Sequence, residues 1–104
     1  MPNIFRNQTN SELMIEIGRR LRDYRLQQNL AVADVAERAG INRNTVLNAE
    51  VGRNPRLETV LRLLRVYGRV ESIDAFLPKP TLSPLQVVKN KGKLRRRARK
   101  SSDG

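Results

Sequence analysis

Apolar residues recur along the first three quarters of this chain at helical spacing, in short runs separated by turn signals. Leu13, Ile17, Leu21 and Tyr24 stand at i, i+4, i+8 and i+11, one face of an amphipathic helix. Thr9, three residues before Glu12, has the spacing of a capping box. Together these predict a first helix ending near Gln27, with Arg19, Arg20, Arg22 and Asp23 on its outer face. In "AVADVAERAG" Val35, Ala36 and Ala39 form the inner stripe of a short second helix, and Gly40 is placed as its left-handed stop. Ala36 is small enough to let a neighbouring helix cross closely at a tight turn. A third helix over residues 43–51 follows, capped by Asn42 and ended by Gly52. On it Val46, Ala49 and Glu50 fall on one side, Asn44, Leu47, Asn48 and Val51 fall opposite, and Arg43 lies at the N-terminal edge. Pro55 introduces a fourth helix, "LETVLRLLRVYG", with Leu57, Val60, Leu61 and Leu64 as its stripe and Gly68 as its stop. "VESIDAFL" reads as a fifth, ending before Pro78.

The composition adds a partner class to this all-helical outline. Of 21 basic residues, eight lie between Lys89 and Lys100 with no acid among them. The rest of the chain holds thirteen basic residues against nine acidic ones, Asp103 aside. A mildly basic globule and a strongly basic tail both favour a polyanion, because neutralising phosphates releases counterions. The chain divides accordingly into a flexible arm (1–9), a helical domain (10–77), a Pro-rich extension (78–88) and a basic tail (89–104) expected to be disordered.

Several function classes drop out. Without Cys or His there is no thiol nucleophile, no Cys-ligated zinc and none of the usual acid–base residue, so no enzyme, cofactor, metal or small-molecule substrate is expected. No apolar run has the length of a membrane span or the form of a signal peptide, which makes the cytoplasm the expected location. The four aromatic residues, Phe5, Tyr24, Tyr67 and Phe76, do not alternate with basic ones, so a stacking platform for single strands is poorly supported.

From Leu21 to Gly68 the residues resemble the Xre or lambda-repressor/Cro-like helix-turn-helix family. The carriers are Arg25, Leu30, Val35 and Ala36, Gly40, the stretch from Asn42 to Val46, Glu50 and Gly52, Pro55, and the stripe from Leu57 to Leu64. The resemblance implies a five-helix domain whose third helix enters the major groove of double-stranded DNA. It puts Asn42, Arg43, Asn44, Leu47 and Asn48 at the positions that face bases, with Arg53, Asn54, Arg56 and Arg19 near the backbone or minor groove. That chemistry is apt: Arg pairs with guanine O6 and N7, Asn with adenine N6 and N7, and Leu47 can offer only an apolar contact to a thymine methyl or a sugar. Where many relatives have Ser or Thr followed by Gln at the start of the second helix, this chain has Ala31 and Val32, which removes a phosphate clamp. Arg25 and Glu50 both fall toward the interior side of their helices, and the resemblance implies a partly buried ion pair between them.

The end of the chain, "FLPKPTLSPLQVVKNKGKLRRRAR", resembles the C-terminal signature of HipB-like antitoxins, which implies a HipA-like kinase toxin as partner. The apolar residues Ile73, Phe76, Leu77, Leu82, Leu85 and Val88 are the expected surface of a homodimer, since one such domain reads only a short half-site. The resulting expectation is a dimeric repressor of its own operon on a palindromic operator, and an antitoxin. A stand-alone phage or mobile-element repressor is one alternative, and a basic RNA- or ribosome-associated protein using tail charge alone is another.

Overall fold

Helix starts and stops set the layout. The computed structural model describes residues 5–81 and Leu85, in two units that meet in sequence at Ser72 and Ile73. In the first unit, α1 spans Asn10–Gln27, α2 Val32–Ala39, α3 Arg43–Glu50 and α4 Leu57–Tyr67, followed by a 3₁₀ turn at Val70–Ser72; the second unit opens with α5, Ile73–Phe76. α1 starts on a complete capping box: the Thr9 hydroxyl accepts from the Glu12 N–H at 3.1 Å and the Glu12 carboxylate accepts from the Thr9 N–H at 3.0 Å. α2 keeps only half of that motif. Ala31 has no side-chain acceptor, and only its N–H, donating to Asp34 Oδ2 at 3.0 Å, is satisfied.

All four helices of the first unit close in the same way. Asn29, Gly40, Gly52 and Gly68 take left-handed backbone angles. The N–H of the residue after each returns to the carbonyl five residues earlier: Leu30 to Arg25, Ile41 to Ala36, Arg53 to Asn48 and Arg69 to Leu64, at 2.8–3.1 Å. These closures give orphan helix-end carbonyls their partners.

The core gathers Leu21, Val35, Ala36, Ala39, Val46, Ala49, Leu63 and Tyr67, with Tyr24, Leu30, Val32, Ile41, Leu64 and Val66 packed around it. Three expectations are corrected here. The inward stripe of α4 runs through Thr59, Leu63 and Tyr67, while Leu57 is 65% exposed. Of the expected stripe, Leu64 packs against the core and Val60 and Leu61 are half-buried, but a reading from aliphatic residues alone misses the threonine and the tyrosine buried beside Leu63. Residues 70–77 do not form one helix but a 3₁₀ turn and a four-residue α5; Val70, Ser72, Ile73 and Asp74 are weak helix formers. Val51 caps the end of α3 and does not belong to it.

α1 and α3 cross closely at Gly18. A Cβ there would lie 2.5 Å from the Ala49 carbonyl oxygen and 2.6 Å from that of Glu50. Nearby, Gly52 (φ +77°) would bring a Cβ within 2.7 Å of the Ile15 backbone. Glycine at 18 is a weak helix former, yet its missing side chain lets the two backbones approach. Gly18→Ala is expected to lower stability by about 1–3 kcal/mol, the overpacking cost exceeding the propensity gained, and urea unfolding of the variant checks it.

Candidate nucleic-acid interface

The inner side of α3 is anchored by one buried ion pair. Arg25 Nε donates to Glu50 Oε2 at 2.7 Å and Arg25 Nη2 to Glu50 Oε1 at 3.0 Å, a two-pronged geometry. The third arm, Nη1, donates to the Leu30 carbonyl at 3.1 Å. The side chains are only 11% and 3% exposed. Arg25 thereby joins α1, the loop after it and α3. The Glu50 hydrogen bond holds the Arg25 proton more tightly than usual, against the opposite pull of burial. Val46 and Ala49, both fully buried, seat the remainder of this side.

The opposite side of α3 is open. Arg43, Asn44, Leu47 and Asn48 are all exposed, Leu47 at 45%, with Val51 beyond them at 54%. The asparagines are not equivalent. Asn42 Oδ1 accepts from the Thr45 N–H at 2.8 Å and the Thr45 hydroxyl at 2.9 Å, so this residue is spent on capping and has only its NH₂ left to offer. Asn48 Oδ1 accepts from Arg53 Nη1 at 3.4 Å. The Arg43 guanidinium and the Asn44 amide make no hydrogen bond or ion pair with the described residues.

Arg53, Asn54 and Arg56 come together with Asn48 along a groove of about 290 Å³, also lined by Thr45, Ala49, Pro55 and Thr59. Arg19 is not among these residues. It lies on α1, paired with Glu16 at 3.2 Å. In the second unit Ile73, Phe76, Leu77 and Leu85 are exposed. Leu82, Val88, the basic tail from residue 89 and residues 1–4 of the arm lie outside the described residues. Among the described residues no helix is long and apolar enough to cross a membrane, and no group of acidic side chains could hold a metal ion.

Gly18, Asn29 and Tyr67 are structural residues that sequence reasoning passed over. A glycine inside an otherwise regular helical pattern is itself a signal of close packing, and Asn tolerates the left-handed angle that ends α1. Tyr67 left no such mark. Its ring lies 6.2 Å from that of Tyr24, its carbonyl accepts from Gln28 Nε2 at 2.9 Å, and its buried hydroxyl has no partner among the described residues.

A family described as a helix-turn-helix domain matches residues 16–72, more than half of the chain, from within α1 to the 3₁₀ turn. A protein of Vibrio cholerae described as the cryptic phage CTXphi transcriptional repressor RstR is 40% identical over 50 residues, 47% of this chain and 45% of the relative. The chain thus spans less than half the length of that relative.

Burial, reinforced by the Glu50 charge, pushes the Tyr67 hydroxyl up to about 12. An unfolded tyrosine loses its proton near pH 10, so this contribution is intact below pH 10 and lost as pH rises from about 10 to 12. Tyr67→Phe is expected to be neutral or stabilising at pH 7 and to remove the alkaline loss, about 1.4 kcal/mol at pH 11, read from urea unfolding at pH 7, 10 and 11.

Proposed function

The chain belongs to the helix-turn-helix domain family, and we propose that it is a sequence-specific repressor that binds double-stranded DNA as a homodimer on a palindromic operator in the cytoplasm. The observation that carries the proposal is the division of α3: one side is buried and locked by Glu50, while Arg43, Asn44, Leu47 and Asn48 are exposed on the other. A helix so presented fits the major groove. Arg43 suits guanine and Asn44, with both ends of its amide available, suits adenine. Arg53, Asn54 and Arg56 line the adjacent groove and suit phosphates. The exposed apolar residues of the second unit, Ile73, Phe76, Leu77 and Leu85, support pairing of two copies, since one reading helix covers only a half-site.

The similarity to a protein described as a phage transcriptional repressor favours repression, and favours a stand-alone phage or mobile-element regulator over an antitoxin. The antitoxin reading, with a HipA-like kinase toxin as partner, keeps the support of Leu77-Pro78, Ser83-Pro84-Leu85 and the Lys/Arg-rich finish. It ranks second, since the relative is described as a phage transcriptional repressor.

Selection of bound duplexes from a random pool tests this reading. A preferred sequence with two-fold symmetry is expected. Arg43→Ala and Asn44→Ala should each lose about 1–3 kcal/mol of discrimination at one position per half-site while remaining folded. A binder that works through tail charge alone would select no sequence and would weaken equally on all duplexes as salt rises, which would overturn the proposal; an asymmetric site would overturn the dimer.

A further inference from the structure

The exposed side of α3 is not uniformly polar. Leu47 is 45% exposed and Val51 54%, and neither belongs to the core or packs against it. The Val51 N–H donates to the Leu47 carbonyl at 3.1 Å, so the turn that stacks these two side chains on one face is intact at the end of the helix. Arg43 and Asn44 precede Leu47 on this side by one turn and Asn48 follows it directly, all of them exposed. Nothing in the fold uses an isobutyl group at this place, and alanine is the better helix former.

Base edges in the major groove present hydrogen-bonding groups with one apolar exception, the C5-methyl of thymine. An aliphatic side chain pressed onto the polar part of an edge takes donors and acceptors out of water and gives them no partner. Against a methyl group it strands nothing, and both surfaces are dehydrated together. We propose that Leu47, backed by Val51, binds the C5-methyl group of a pyrimidine, so that methylating a cytosine at the position it meets strengthens binding. Thymine and 5-methylcytosine carry this methyl on the same ring atom. They differ at ring position 4, an oxygen in one and an amino group in the other, to which leucine can offer no hydrogen bond. The hold on DNA is thereby sensitive to a modification that leaves base pairing unchanged. This rests on the DNA-reading function proposed above, and names the group that the one apolar pair on the reading face recognises.

The test uses the full chain on the duplex that selection yields. Each thymine is replaced in turn by deoxyuridine, which removes the methyl group and nothing else. Affinities are compared for the unaltered chain and Leu47→Ala, a change at an exposed position where folding is not at stake. At one thymine per half-site, uridine is expected to weaken the unaltered chain about fourfold, the effect of one buried methyl group, and to leave Leu47→Ala nearly unchanged. At that same position a cytosine–guanine pair is then compared with its 5-methylcytosine counterpart. Methylation should strengthen the unaltered chain about fourfold and again leave Leu47→Ala nearly unchanged. Uridine binding as well as thymine at every position, the signature of a sugar contact, would overturn the inference. So would a loss equally large in Leu47→Ala, which assigns the methyl group to another residue, or a 5-methylcytosine bound no more tightly than cytosine. If the unaltered chain selects no sequence at all, the DNA-reading function itself fails, a result distinct from these.

Discussion

The arrangement depends on the ion pair between Arg25 and Glu50. It is the point where α1, the loop ending at Leu30 and α3 are tied to one another by three hydrogen bonds from a single guanidinium. Taking both charges out of water is costly, and good geometry offsets the cost only when the remaining donors are also satisfied. Both conditions hold, since the carboxylate is gripped by two prongs and the third arm finds a backbone carbonyl. An apolar contact could hold the two helices together but would tolerate sliding; the two-pronged bond allows one register.

That register places the two ends of α3 in different roles. Its C-terminal end lies against α1, where Gly18 and Gly52 let backbones come within side-chain distance and Glu50 meets Arg25. Its N-terminal end, opened by the Asn42 cap, carries Arg43 and Asn44 away from these contacts. The asparagines of this helix are poor for helicity, and their cost is offset unequally: Asn42 is repaid by capping, Asn48 by Arg53, while Asn44 gains nothing from the fold. A residue the fold does not reward is where a ligand is expected to supply the reward.

The first four helices were legible because the chain writes their boundaries in residues with local physical meaning. Thr9, Asn42, Gly40, Gly52 and Gly68 do locally what their side chains allow, or what the lack of one allows. Ala31 shows the same logic by omission, since the half-made cap of α2 follows from its missing hydroxyl. What the sequence hid was tertiary. Thr59 and Tyr67 face inward because of the helices around α4, and nothing in the spacing of Leu57, Val60, Leu61 and Leu64 records that. Gly18 is readable as an anomaly, but its partner, the end of α3, is not. The site divides in the same way: the exposed side of α3 follows from its period, whereas the unequal state of Asn42, Asn44 and Asn48 depends on Thr45 and Arg53, which only coordinates reveal.

A buried, geometrically matched ion pair locks the exposed helix to the rest of the unit. A double-mutant cycle measures it most directly, with urea unfolding of Arg25→Met, Glu50→Leu and the variant carrying both. Each single change should cost about 3–5 kcal/mol by stranding a buried charge, and the double change should recover at least about 2 kcal/mol of the summed loss as the apolar pair packs in its place. Single losses below about 1 kcal/mol that simply add, as for an exposed bridge, would show that the pair does not lock the helix.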